Sequence, residues 1–114
     1  MKTRYYLRLP DPTKARGSDV GLAFRSEGAE GLAAELQQAL RSSELFERWR
    51  SQQEDPDAVD PSLGVTDVEA TVRGEQHDLS IDLVVSTSLP GNVFKQRLRL
   101  LAGSGWELRD VTAG

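Results

Sequence analysis

Cysteine is absent from this chain of 114 residues, and histidine occurs once, at position 77. Without a thiol there is no disulfide, no thiolate nucleophile and no cysteine-bound metal. With one histidine, placed in an expected hairpin turn beside Asp78, a nucleophile, base and orienting acid would have to be assembled from distant residues. No stretch approaches the roughly 20 apolar residues that a membrane span requires. The opening MKTRYYLRLP starts basic, but Arg4 and Arg8 interrupt any apolar run of signal-peptide length. A cytoplasmic protein is expected, with no cofactor, metal, catalytic site or membrane contact. Acidic residues outnumber basic ones, 18 to 14, and the net charge of -4 opposes association with phosphate backbones, so nucleic acid is not an expected partner.

What the chain does contain is enough apolar residue, 38%, for one α+β domain over 1–114, burying roughly two-thirds of the surface its unfolded form exposes. KTRYYLRL, residues 2 to 9, alternates Tyr5, Leu7 and Leu9 against Arg4, Tyr6 and Arg8, which predicts a half-buried strand. PDPTKARGS, residues 10 to 18, reads as a surface loop. DVGLAFR, residues 19 to 25, places Val20, Leu22 and Phe24 on one face and predicts a second strand.

From Ser26 to Gln53 the pattern is helical, with Ser26 suited to cap the first turn. Its apolar face changes direction. Ala29, Leu32, Ala33, Leu36 and Leu40 cluster within about 60° of a common direction, whereas Leu45, Phe46 and Trp49 of SELFERWR project to nearly the opposite side. One straight helix cannot bury both stripes in one core. A break at Arg41-Ser42-Ser43, where either serine can cap a new helix, would fold Trp49 back over the core. An unbroken helix would present Leu45, Phe46 and Trp49 outward as a partner-binding patch.

EDPDAVDPS, residues 54 to 62, is an acidic loop whose ligand and glycine spacing fails for a calcium loop of the helix-loop-helix type. Two alternating segments follow, over 67–73 and 79–86, predicting a hairpin that turns through Gly74 to His77 and sets Glu69 opposite Asp82. Two facing carboxylates are a candidate for sharing a proton or holding a cation. SLPGNVFKQRLRLLAGSGWEL, residues 88 to 108, gives a helix with Val93, Phe94, Leu98 and Leu101 inward, then a strand in which Trp106 and Leu108 face the core. Arg97 falls inside the apolar arc. Its stem can lie along apolar surface while the guanidinium reaches an acid or water, or it can be poised to grip an anion. LAGSGWELRDV, residues 101 to 111, resembles the helix-to-strand GWEL endings of small bacterial proteins of unknown function, and the resemblance implies no activity.

Together these elements predict an antiparallel sheet of four to five strands with two main helices on one face. The plan is ferredoxin-like from residue 19 onward with 2–9 as an extra strand, or a rearranged variant. The uncovered face would carry Arg4, Tyr6, Arg8, Glu69, Thr71, Ser80, Asp82 and Val84. The leading functional reading is a non-catalytic protein-interaction or regulatory module, binding a protein partner or itself through Arg4, Tyr6 and Arg8 or through Leu45, Phe46 and Trp49. The alternative is a small-ligand, anion or nucleotide-responsive domain using Lys14, Arg16 and Arg97. Behind these stand a carboxylate-based enzyme and an RNA-binding sheet, the latter lacking a second aromatic on the strand beside Tyr6.

Overall fold

The computed structural model describes residues 2–113. Four strands, β1 (Thr3–Leu9), β2 (Thr71–His77), β3 (Ser80–Thr87) and β4 (Glu107–Ala113), form one sheet with three helices, α1 (Ala29–Arg41), α2 (Glu44–Ser51) and α3 (Gly91–Ala102). Strand order is β2-β3-β1-β4 and every neighbouring pair is antiparallel. The two alternating segments richest in apolar residues take the centre. In β1 and β3 the inward set, Tyr5, Leu7, Leu9, Ile81, Leu83, Val85 and Thr87, is buried.

The helices cover that inward side. The face of α1 bearing Leu32, Leu36 and Leu40 packs over β2 and β3, and the Phe94 ring of α3 stacks on Tyr5 of β1 with centroids 4.2 Å apart. Strand β2 accepts α1 at close range because Gly74 has no side chain; a Cβ there would overlap the Ala29 carbonyl oxygen.

The helical stretch does break after Arg41, and α2 turns back so that Leu45 and Phe46 are buried. Three of the four C-terminal carbonyls of α1, unpaired by definition of a helix end, find a donor. Gln38 O accepts from the Ser42 amide, Leu40 O from the Asp67 amide, and Ala39 O from the Arg97 guanidinium at 2.8 Å.

Three expected elements differ. Residues 19–25 form no strand. The Asp19 side chain accepts from the Gly21 amide and its carbonyl from Leu22 and Ala23, a tight turn that buries Leu22 and Phe24 but leaves Val20 87% exposed. Residues 2–9 are therefore not an extra strand; they form β1, one of the two central strands of the four-stranded sheet. Helix α1 starts three residues later than Ser26, because the Glu35 carboxylate reaches back to the amides of Arg25 and Ser26 and holds them outside the first turn. The hairpin turns at Asp78 and Leu79, with Asp78 in the left-handed region (φ 53°), so β2 runs through the segment expected to turn.

Candidate functional site

Among the described residues nothing covers the side of the sheet away from the helices. Its residues are half-buried or exposed along all four strands. Pairing register places them in three transverse rows: Glu75, Asp82, Arg8 and Glu107; then Arg73, Val84, Tyr6 and Asp110; then Thr71, Ser86, Arg4 and Thr112. Arg109 is the extra residue of a bulge in β4, between Leu108 opposite Leu7 and Asp110 opposite Tyr6.

Electrostatics concentrate in the first row. Arg8 Nε donates to Asp82 Oδ1 at 2.9 Å, and His77 Nε2 lies 3.3 Å from Asp82 Oδ2 and 3.8 Å from Glu75. The Arg8 hydrogen bond holds the Asp82 carboxyl below its ordinary value and raises the Arg8 guanidinium above its own. Arg109 pairs with Glu107 at 3.5 Å. Like-charged carboxylates do meet across the hairpin, but they are Glu75 and Asp82, not Glu69 and Asp82. The hairpin closes later than expected, and Glu69 falls before β2. Asp82 is held ionised between Arg8 and His77, and among the described residues no hydroxyl is hydrogen-bonded to the His77 imidazole. Ser80 Oγ donates to the His77 carbonyl instead. The arrangement is a network of complementary charges around an aromatic and an aliphatic centre, Tyr6 and Val84.

Of the partner-binding candidates, Arg4, Tyr6 and Arg8 share this face. Leu45 and Phe46 do not form a surface patch, because α2 turns them into the core at 8% and 2% exposure. Trp49 is half-buried. Its ring lies 5.8 Å from that of Phe46 and packs against the edge of the core.

The three anion-binding candidates are not brought together. Lys14 is exposed in the loop after β1, whose Asp11 caps the turn by accepting from Thr13. Arg16 Nη2 donates to Ser26 O at 2.7 Å, while its Nη1 is buried without a partner. Arg97 is wholly buried and donates to the carbonyls of Ala39, Leu63 and Val65, with no carboxylate paired to it among the described residues. Desolvation pushes its guanidinium below the ordinary arginine value.

The expected open face did not include Glu75, His77, Glu107 or Asp110, whose places there depend on the hairpin turn and on the pairing of β4 with its bulge. Asp67, expected to face outward on a strand, is instead buried, accepting from Thr87 Oγ1 and the amides of Ser88 and Glu69. Among the described residues no three histidine or carboxylate side chains converge as a metal site, and no helix is long and apolar enough to cross a membrane. No protein-family model matches the chain, and neither curated proteins nor solved structures give a match.

Proposed function

We propose that the chain is a non-catalytic interaction module of ferredoxin-like topology that pairs with a second copy of itself through the open face of its sheet. Support for the topology comes from the element order, strand, helices, hairpin, helix, strand, with the hairpin's second strand beside β1. The observation that carries the functional reading is the uncovered sheet side, with Tyr6 and Val84 at its centre and charge graded from end to end. Three carboxylates against one guanidinium leave the Glu75 row at -2. The middle row is neutral, and Arg4 leaves the last row at +1. A two-fold partner laid on this face with its strands reversed superposes each strand on its own copy and sets each acidic row, net -2, over the other copy's Arg4 row, net +1, so the attraction is between whole rows while Arg8 and Arg4 face each other and limit the affinity.

Size sets the strength. Four strands about 4.8 Å apart and seven residues long at about 3.4 Å each give a footprint of about 450 Å². That is roughly half the ~800 Å² per partner of a standard stable interface, so the dimer is weak and concentration-dependent, with affinity weaker than micromolar.

Light scattering on the full chain tests this. The mass should rise from monomer toward dimer as concentration increases from micromolar to near-millimolar, and Val84→Lys or Tyr6→Glu should abolish the rise while leaving the thermal midpoint within a few degrees. A monomer mass across the whole range contradicts the proposal.

A further inference from the structure

On the helical side, away from the open sheet face, a cleft of about 340 Å³ lies between the 21–25 turn, α1 and the beginning of α2. Its floor is apolar, made by Leu22, Ala39, Leu45 and Leu101, all buried. The walls are fixed. Phe24 donates its amide to Leu101 O at 2.9 Å, and the Glu35 carboxylate accepts from the amides of Arg25 and Ser26, which meets its charge within the wall.

The rim carries the information about what the cleft would hold. Arg25 is exposed, and its guanidinium makes no hydrogen bond or ion pair among the described residues. Arg48 gives one hydrogen bond, to Gly21 O. Glu44 stands on the same rim, also without a partner among the described residues, and does not pair with Arg48. Two cations and one uncommitted carboxylate thus surround a dry floor. A simple anion would be opposed by Glu44, and a simple amine by Arg25 and Arg48. A molecule bearing both charges on an apolar body meets all three. The volume lies at the low end of the roughly 300–1,000 Å³ of small-molecule sites and suits a metabolite, not a peptide.

We propose that this cleft binds a small apolar α-amino acid as its zwitterion, with the carboxylate at Arg25 and Arg48, the ammonium at Glu44 and the side chain on Leu22, Ala39 and Leu45. Ala34, small and exposed at the mouth, keeps the entrance clear.

Amide NMR titrations of the full chain with L-leucine, L-leucinamide and isocaproate test it. L-Leucine should shift amides in 21–25 and 34–45, and the two analogues should bind at least about tenfold more weakly, since each lacks one charge-assisted bond. Arg25→Ala should weaken L-leucine about tenfold without altering leucinamide, and Glu44→Gln should weaken L-leucine without weakening isocaproate. Ala34→Leu should abolish the shifts while the rest of the spectrum stays in place. The proposal is overturned if millimolar L-leucine leaves these amides unmoved, if an analogue binds as well as L-leucine, or if the shifts survive Ala34→Leu.

Discussion

Replacing Arg97 by lysine should damage the protein more than replacing it by methionine, although lysine keeps the charge. The guanidinium donates to Ala39 O at 2.8 Å through one terminal nitrogen, and to Leu63 O at 2.9 Å and Val65 O at 2.6 Å through the other. Its carbon lies 5.8 Å from the Phe46 ring centroid, and no carboxylate pairs with it among the described residues. Its charge is therefore met by carbonyl dipoles, including the negative end of α1. An ammonium is a point charge, more strongly hydrated, and cannot span three carbonyls that a planar fork reaches together. Lysine would forfeit about two charge-assisted bonds worth about 1.5–3 kcal/mol each and still bury a cation, a loss of about 3–6 kcal/mol. Methionine removes the buried charge. It leaves the Ala39 carbonyl unpaired while half-buried Leu63 and exposed Val65 turn to water, a loss of about 1–3 kcal/mol. Urea unfolding followed by circular dichroism measures both, and at roughly 4 °C per kcal/mol the thermal midpoints should separate. The buried ammonium also titrates below its unfolded value near ~10.4. Between the two values the unfolded chain binds more protons, so the lysine variant should regain stability as pH rises from about 7 to 10. A lysine variant as stable as wild type, or more stable than the methionine variant at neutral pH, refutes the reasoning.

Burial pushes the Asp67 carboxyl up, but the hydrogen bonds from Ser88, Thr87 and Glu69 outweigh it and hold the group below its ordinary value. A folded value below the unfolded one gives stability that is complete above about pH 4 and lost as pH falls through the folded value. Asp67→Asn should flatten that acid limb in pH-dependent melting and cost about 1–2 kcal/mol at neutral pH. Gly17 lies against α3, where a Cβ would overlap the Leu100 carbonyl oxygen, and its amide bonds Leu101 O at 3.0 Å. Gly17→Ala should cost about 1–3 kcal/mol and speed protease cleavage between residues 10 and 28. Phe46→Ala should lose about 3–5 kcal/mol in denaturant titration, and Trp49→Ala, from a half-buried ring, about 1–2 kcal/mol. Equal losses would show that Trp49 is as much core as Phe46.

Periodicity carried most of the architecture. Alternation in residues 2 to 9 and 79 to 86 marked the two central strands, and the reversed apolar stripe at Leu45, Phe46 and Trp49 left two choices, a break near Arg41 or an outward patch, of which the structure takes the break. The failures share a cause: a polar side chain or a glycine overrode the local pattern. DVGLAFR alternates like a strand, yet Asp19 closes a turn within it and the Phe24 amide goes to the end of α3. Gly74 reads as a turn residue, but it lies inside β2 because α1 needs the space its missing side chain leaves. That three-dimensional demand has no signature in the chain, and missing it displaced the hairpin and misplaced the acidic partner of Asp82. The place of Arg97 in an apolar arc was visible; its three carbonyl partners come from α1 and the loop before β2, far away in sequence.

Cross-saturation between a deuterated, amide-labelled copy and an unlabelled one, mixed near millimolar concentration, tests the central claim most directly. Attenuation should concentrate at Arg4, Tyr6, Arg8, Asp82, Val84 and Asp110, and disappear with Val84→Lys. Attenuation confined to the helices or the exposed edge of β4, or none at all, contradicts the assignment of the open sheet face as the surface through which this protein acts.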